Sequence, residues 1–294
     1  MLLAPFDPWK SPLCTCPPKL TFNPYTGCDH GCLYCYASSY IPHFHECRPK
    51  KDLITRLKRE ASKLNGELVS MSNSSDPYPR LDKKLGLTRK SLEILANNSC
   101  RIQIITKSDL VTRDIDILQT VPSGVSITIL TLSDFLSKKL EPAAPASSKR
   151  LIAIKKLVKA KIPTTVRIDP LIPFLNDDLE PLVKAVTDLG ILHVTCSTYK
   201  IKPDNWKRFS LVFPEVAEKM KPQYFNKNEH IAGSTYLPKT FRFSLMKQAK
   251  QLVEQHGLKF GCCRENFNLN SAFCDGSWVV PDSQKKKSKQ LFFS

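Results

Sequence analysis

Asn23-Pro24-Tyr25-Thr26-Gly27-Cys28-Asp29-His30-Gly31-Cys32-Leu33-Tyr34-Cys35-Tyr36-Ala37 organises the reading of this chain. It sets three thiols in the spacing C-x3-C-x2-C, within eight residues. Three thiolates hold three corners of an iron–sulfur cube and leave the fourth iron without a protein ligand. An open metal position is where chemistry takes place, by the logic that separates catalytic from structural zinc. With eleven cysteines in 294 residues, chance produces this pattern about 0.015 times. Gly27 and Gly31 give the loop the backbone freedom to wrap a cluster, and Tyr34 and Tyr36 flank the last cysteine with aromatic cover. Zinc and disulfides are the alternatives. Zinc sites usually come as paired C-x2-C units, and here there is one such pair. Disulfides fit poorly, because Met1-Leu2-Leu3-Ala4-Pro5-Phe6-Asp7 lacks the basic start and apolar run of a secretory leader.

Working outward, short apolar runs alternate with amphipathic stretches. Strands are expected at Lys19–Pro24, Glu67–Met71, Arg101–Thr106, Val125–Leu130, Thr164–Ile168 and Leu192–Cys196. Helices are expected between them at Leu53–Leu64, Thr88–Asn97, Asp114–Thr120, Ser147–Lys161 and Asp177–Leu189. Such alternation predicts an α/β fold, with a parallel sheet and helices outside it. Six units fit an open, partial (β/α)6 barrel. Polar runs follow the strands at Ser72–Asp76, Thr106–Ser108, Thr131–Asp134 and Asp169–Pro173, the strand ends where such barrels carry function. Ser126 and Thr128 alternate with Val125, Ile127 and Ile129, so their hydroxyls share the other face of that strand. Beyond residue 200, Asn205–Lys219 and Ser244–Gln255 read as helices and Lys285–Ser294 as a basic tail.

The cysteine motif, together with Ser72-Asn73-Ser74-Ser75-Asp76-Pro77-Tyr78, Thr106-Lys107-Ser108, Leu140-Glu141-Pro142 and Arg167-Ile168-Asp169-Pro170-Leu171-Ile172-Pro173, resembles the radical SAM superfamily. Within it, the likeness is to the spore photoproduct lyase-like branch. It covers roughly residues 14–200, which implies a radical SAM core barrel there, a C-terminal extension over 201–284 and a tail over 285–294. The resemblance implies a [4Fe-4S] cluster on Cys28, Cys32 and Cys35. Its open iron chelates S-adenosylmethionine, and one electron cleaves the sulfonium to a 5′-deoxyadenosyl radical. That electron implies a donor such as ferredoxin or flavodoxin. Ser72, Ser74, Ser75 and Asp76 then fall where the superfamily has a loop touching the methionine end of the cofactor; the bland reading is a turn. Lys107 matches a lysine that pairs with the cofactor carboxylate, against a solvated lysine at a strand end. Ser126, Thr128 and Arg167 are inward candidates for the same ligand, and Arg167 equally reads as a structural ion pair. Tyr34 and Tyr36 match tyrosines implicated in hydrogen return, although aromatics also simply cover clusters. In the branch's repair enzymes a cysteine in the Ser-x-Thr-Ser-Asp stretch donates hydrogen to the product radical. Here Asn73 stands in its place, and an amide N–H does not give up hydrogen as a thiol does. Spore photoproduct lyase activity itself is therefore not expected.

Cys14 and Cys16 lie just before the first strand, and Cys262, Cys263 and Cys274 lie near the end. Meeting at the open edge of the barrel, Cys14, Cys16, Cys263 and Cys274 would form an auxiliary iron–sulfur site, with Cys262 as a substitute; the alternative is a set of small buried hydrophobes. Cys47, Cys100 and Cys196 read as core or incidental.

The formal net charge is +17, which suggests a polyanionic partner, nucleic acid first. Three basic groups stand out. Lys149, Lys155, Lys156 and Lys159 share a helix face. Arg48, Lys50, Lys51, Arg56, Lys58 and Arg59 enter the first helix. Lys200, Lys202, Lys207 and Arg208 surround Trp206 nearest the expected mouth. No run of eighteen apolar residues exists, so no membrane span is expected, and the thiol-rich site predicts a reducing, cytoplasmic setting. The functional reading is a radical SAM enzyme acting on nucleic acid, by lesion repair or base modification. Modification of a protein or small metabolite, and a non-catalytic iron–sulfur carrier or sensor, are the alternatives.

Overall fold

The computed structural model describes residues 1–6, 11–71 and 74–282. Ser72, Asn73 and the Lys285–Ser294 tail lie outside the described residues. Eight strands form one sheet in chain order: β1 (Ala4–Pro5), β2 (Leu20–Phe22), β3 (Leu68–Met71), β4 (Arg101–Thr106), β5 (Ser123–Thr128), β6 (Thr164–Leu171), β7 (His193–Thr198) and β8 (Lys259–Cys262). β1 pairs antiparallel with β2, and every later pairing is parallel. Each strand adds beside the one before it, the arrangement that successive right-handed βα units produce. The result is the expected α/β partial barrel, open because β1 and β8 do not pair.

Alternation along the strands separates two environments. Val69, Ile102, Ile104, Val125, Ile127, Val166, Ile168 and Val194 point outward into the apolar core beneath the helices. The intervening Ser70, Gln103, Ser126, Thr165, Arg167 and Thr195 form a polar interior, and all six are buried. Helices cover the outer face: α1 (Leu53–Ala61), α2 (Leu87–Asn97), α3 (Ile115–Leu118), α4 (Asp134–Leu140), α5 (Ser147–Lys159) and α6 (Glu180–Asp188). In α1 the buried Leu53, Leu57 and Ala61 recur every four residues, which places them on one stripe. In α5, Ile154 and Leu157 are buried while Lys149, Lys155, Lys156 and Lys159 are exposed, as their phase predicted.

Some elements differ from expectation. The helix expected over Asn205–Lys219 is two, α7 (Pro203–Val212) and α8 (Pro214–Lys221), because Pro214 cannot continue the first and opens the second. The helix expected over Asp114–Thr120 is present but short, as α3, and a 3-10 turn over Asp109–Asp114 precedes it. α9 (Lys239–Gln255) starts five residues before the expected Ser244. β8 was not expected at all. It adds a seventh parallel strand, with Phe260 and Cys262 in the outer core, so Cys262 is turned away from the interior and is no substitute ligand.

The lower interior is filled from the C-terminal end of the chain. Gln103 Nε2 donates to the Asp275 carbonyl at 2.9 Å, and Thr195 Oγ1 donates to the Cys274 carbonyl at 3.0 Å. The Lys19 ammonium pairs with the Asp275 carboxylate, and Trp278 Nε1 donates to His193 Nδ1 at 3.2 Å. Gly261 makes this possible: a Cβ there would stand 2.4 Å from the Cys274 carbonyl oxygen. Gln103 and Thr195 in the polar interior are thus paired with backbone carbonyls rather than packed against branched side chains.

Candidate active site

The loop after β2 carries Cys28, Cys32 and Cys35, and its path is fixed from both flanks. Gly27 has φ +78°, and a Cβ would meet the Phe44 carbonyl oxygen at 2.4 Å, so only glycine allows the Cys28 N–H to reach that oxygen at 2.7 Å. Tyr25–Thr26 pairs with Arg48–Pro49 in a short antiparallel ribbon. On the other side Leu33 N donates to the Leu140 carbonyl and Ala143 N to the His30 carbonyl, fastening the loop to the end of α4. From the extension, Asn205 Nδ2 donates to the Tyr34 carbonyl at 3.2 Å and Arg208 to the Cys35 carbonyl at 3.1 Å.

The three thiols face a cavity at the C-terminal strand ends, shared with Ser74, Ser75, Asp76, Lys107, Thr128 and Arg167. Among the described residues, no three His, Cys, Asp or Glu side chains are spaced to share one metal ion. Three thiols set around a cavity suit a cube instead, because each cysteine binds a different iron. Burial pushes the Cys32 thiol up to about 12 and raises those of Cys28 and Cys35. Loading therefore displaces protons from all three.

The charged residues around the thiols form a connected frame. Asp76 accepts from Thr106 Oγ1 at 2.7 Å, Lys107 N at 2.8 Å and Tyr78 N at 2.9 Å, and His30 Nδ1 lies 3.6 Å away. This carboxylate joins the loops after β3 and β4. Burial lowers the His30 imidazole, which outweighs the pull of Asp76. Lys107 lies 5.6 Å over the Tyr34 ring. Burial opposes its charge, but Cys32 and Glu141 outweigh it and hold the ammonium above its ordinary range. Glu141 is buried, receives the Tyr34 hydroxyl and pairs with the buried Arg150 at 2.5 Å. Burial raises its carboxyl, yet Arg150 and Lys107 outweigh this and keep it below the carboxylate range. Ser75 Oγ donates to the Tyr25 carbonyl at 3.2 Å. Ser126 Oγ is buried beneath Thr128 with no hydrogen-bond partner among the described residues.

Arg167 pairs with Asp169 at 2.6 Å and lies beside Cys263. Burial raises Asp169, but Arg167 and Lys200 bring it down to about 2. Burial pushes the Tyr36 phenol up to about 12, and the Arg264 guanidinium sits 5.3 Å from that ring. The structure thus brings Cys28, Cys32, Cys35, Tyr34, Tyr36, Ser74, Ser75, Asp76, Lys107, Thr128, Arg167, Cys14, Cys16 and Cys263 to one cavity wall. Ser126 lies below it.

The radical SAM superfamily profile matches residues 22–186. The chain belongs to the radical SAM superfamily. Its residues fit the family's two cofactors, a [4Fe-4S] cluster and S-adenosylmethionine: three thiols and no fourth protein ligand on that loop, beside an ammonium and a buried unpartnered hydroxyl. An uncharacterised protein of Methanocaldococcus jannaschii is 33% identical over 180 residues, which span 59% of this chain and 66% of that protein. An uncharacterised protein of Mycobacterium tuberculosis is 24% identical over 261 residues, 82% of this chain and 76% of its own. Among solved structures, spore photoproduct lyase complexed with dinucleoside spore photoproduct shares the fold. Its TM-score is 0.61 at 15% identity, covering 79% of this chain and 71% of that one. A variant of that lyase with bound AdoMet gives 0.62 at 14%, over 84% and 76%. Streptococcus suis SuiB bound to its precursor peptide SuiA gives 0.56 at 13%, over 82% and 48%.

One sequence reading needs correction, and several residues escaped the sequence. Of the basic group around Trp206, Lys200 is buried, with its ammonium on Ser197 Oγ, the Thr198 carbonyl and Glu265. Arg208 braces the cluster loop and pairs with Asp204 at 2.9 Å, and Lys202 donates to the Gly233 carbonyl. Only Lys207 is exposed, so this group does not steer a phosphate backbone. Trp206 packs among Phe209, Tyr224 and Phe225. Glu265 was missed: it accepts from Thr198 N, Thr198 Oγ1 and Arg242, tying β7 to α9. Arg150 and Asn205 were also missed. Each lies on a helix, where a polar residue facing inward looks like one facing out until the fold is known. Among the described residues no helix is long and apolar enough to cross a membrane.

Proposed function

We propose that this radical SAM protein acts on nucleic acid, by repair or modification of a base. One observation carries the reading: exposed basic and aromatic side chains interleave around the cluster loop. Arg48, on the strand that pairs with Tyr25–Thr26 just before Cys28, and Lys51, two residues beyond that strand, are exposed. Arg80 is exposed, and its backbone N–H donates to Asp29 within the cluster loop at 2.9 Å. Lys138 and Lys139 are exposed on α4, whose end is fastened to that loop. Phe135 is 72% exposed on the same helix, with the Lys139 ammonium 4.6 Å from its ring. Phe174, 51% exposed, stands on the next loop, which Asn176 ties to the Leu130 carbonyl at 3.1 Å. Cations neutralise phosphates, and a free aromatic face stacks on any base, so this pattern suits an unpaired strand or a flipped base. The fold shared with a lyase solved together with a dinucleoside lesion supports the same class.

When bound, the cluster and S-adenosylmethionine supply one-electron cleavage and hydrogen abstraction. The chain's own residues do the rest. Lys107 offers an ammonium to a carboxylate, Asp76 fixes the loop that carries it, and Glu141 with Arg150 holds Tyr34 beneath it. Asn73 separates the ending of the reaction from that of the repair enzymes with a cysteine at that place.

The test is fluorescence anisotropy with single-stranded DNA and RNA and with duplex DNA, over rising salt. Binding should weaken linearly in log salt, and Phe135→Ala should weaken single-strand binding by about 10-fold or more. No binding even at low salt would reject nucleic acid in favour of a peptide or small-molecule substrate.

A further inference from the structure

Cys14, Cys16, Cys263 and Cys274 are brought together by the fold although 260 residues separate the first from the last. Cys16 Sγ lies 3.5 Å from Cys274 Sγ. Cys263 follows β8 at the open edge, beside Arg167. Cys14, Cys16 and Cys263 line the same cavity as the three cluster thiols, and Cys274 is buried against Cys16. Two cations flank the group: Lys19, through Asp275, beside Cys274, and Arg167 beside Cys263.

We propose that these four cysteines hold a second iron–sulfur cluster. Soft thiolate donors with no nitrogen or oxygen ligand select zinc or iron–sulfur centres. A single tetrahedral ion draws all four sulfurs to one point. Here no three cysteines are spaced to share one ion; Cys16 and Cys274 lie 3.5 Å apart, and Cys263 reaches the cavity from a separate segment. The position also accounts for the C-terminal segment. Gly261 and the hydrogen bonds from Gln103 and Thr195 carry Cys274 through the barrel to Cys16, a long detour for an isolated thiol.

The test removes the first site. The variant with Cys28, Cys32 and Cys35 all changed to Ala is reconstituted anaerobically with ferrous iron and sulfide, and its iron and sulfide are measured. It should hold about four irons per chain, against about eight in the unaltered protein. A reduced-state electron paramagnetic resonance signal should persist without responding to S-adenosylmethionine. The converse variant, Cys16→Ser with Cys274→Ser, keeps the first site and should fall from about eight irons to about four. It decides the matter if the triple variant does not fold. About four irons in the unaltered protein, or four thiols that take up zinc and never iron with sulfide, overturns the proposal.

Discussion

Two groups of cysteines share one cavity and are built in opposite ways. Cys28, Cys32 and Cys35 come from eight consecutive residues, and local backbone sets their positions: Gly27 at φ +78° and a ribbon with Arg48–Pro49. Cys14, Cys16, Cys263 and Cys274 come from three separated segments, and only the closed fold sets theirs. The first group depends on a loop, the second on a strand and an inserted tail. Local construction survives in the sequence as a spacing. Non-local construction survives only as unmatched residues.

The largest effect should come from the local group. Cys32→Ala leaves two thiolates where a cube needs three, so iron at that site and 5′-deoxyadenosine formation should fall below detection. Iron quantification with chromatography of the nucleoside product reads both. Retained activity would mean that a thiol of the second group can move in, and the two groups would no longer be separate.

A second effect tests the frame behind the first group. Glu141→Gln leaves Arg150 buried opposite a neutral amide and removes the acceptor that holds Tyr34. Breaking a buried pair from one side costs about 3–5 kcal/mol, which guanidinium denaturation of the two proteins would show. The pH dependence has a fixed sign. Arg150 and Lys107 keep the Glu141 carboxyl below its ordinary range against the opposing effect of burial. Its stabilisation is therefore full above the unfolded-state carboxylate pKa and is lost as pH falls through the folded value. The variant should lack that acid-side loss. An equal loss in both proteins would place the titration elsewhere.

The same contrast explains what could be read in advance. The strands were legible because polar and apolar residues alternate on them, and because their loops end in the residues that line the cavity, Lys107 after β4 being one. β8 was not, since four residues carry too little periodicity and its partner strand lies more than sixty residues earlier. Lys200 looked like a surface cation because its acceptor, Glu265, is equally far away in the chain. Ile154 and Leu157 could be assigned inward from phase alone, whereas Arg150 on the same helix could not. Its burial depends on Glu141, and no period encodes that ion pair. Local pattern predicts elements and contiguous motifs; it does not predict which charged side chains find each other through the fold.

The smallest effect is the most discriminating. In Gly261→Ala the new methyl would lie 2.4 Å from the Cys274 carbonyl oxygen and 2.7 Å from His193 Nε2, closer than any real Cβ contact. Neither neighbour is a flexible tip. The oxygen belongs to the backbone that accepts from Thr195, and His193 is buried against Trp278. The inserted segment must shift, at about 1–3 kcal/mol for overpacking, and chemical denaturation would measure it. Among the described residues no hydrogen bond joins Cys28, Cys32 or Cys35 to that segment, so 5′-deoxyadenosine formation should change less than twofold. Iron at the second site should drop, because Cys274 rides on the displaced segment. If activity instead falls with the iron of the first group, the local motif depends on the inserted tail, and the two constructions are one.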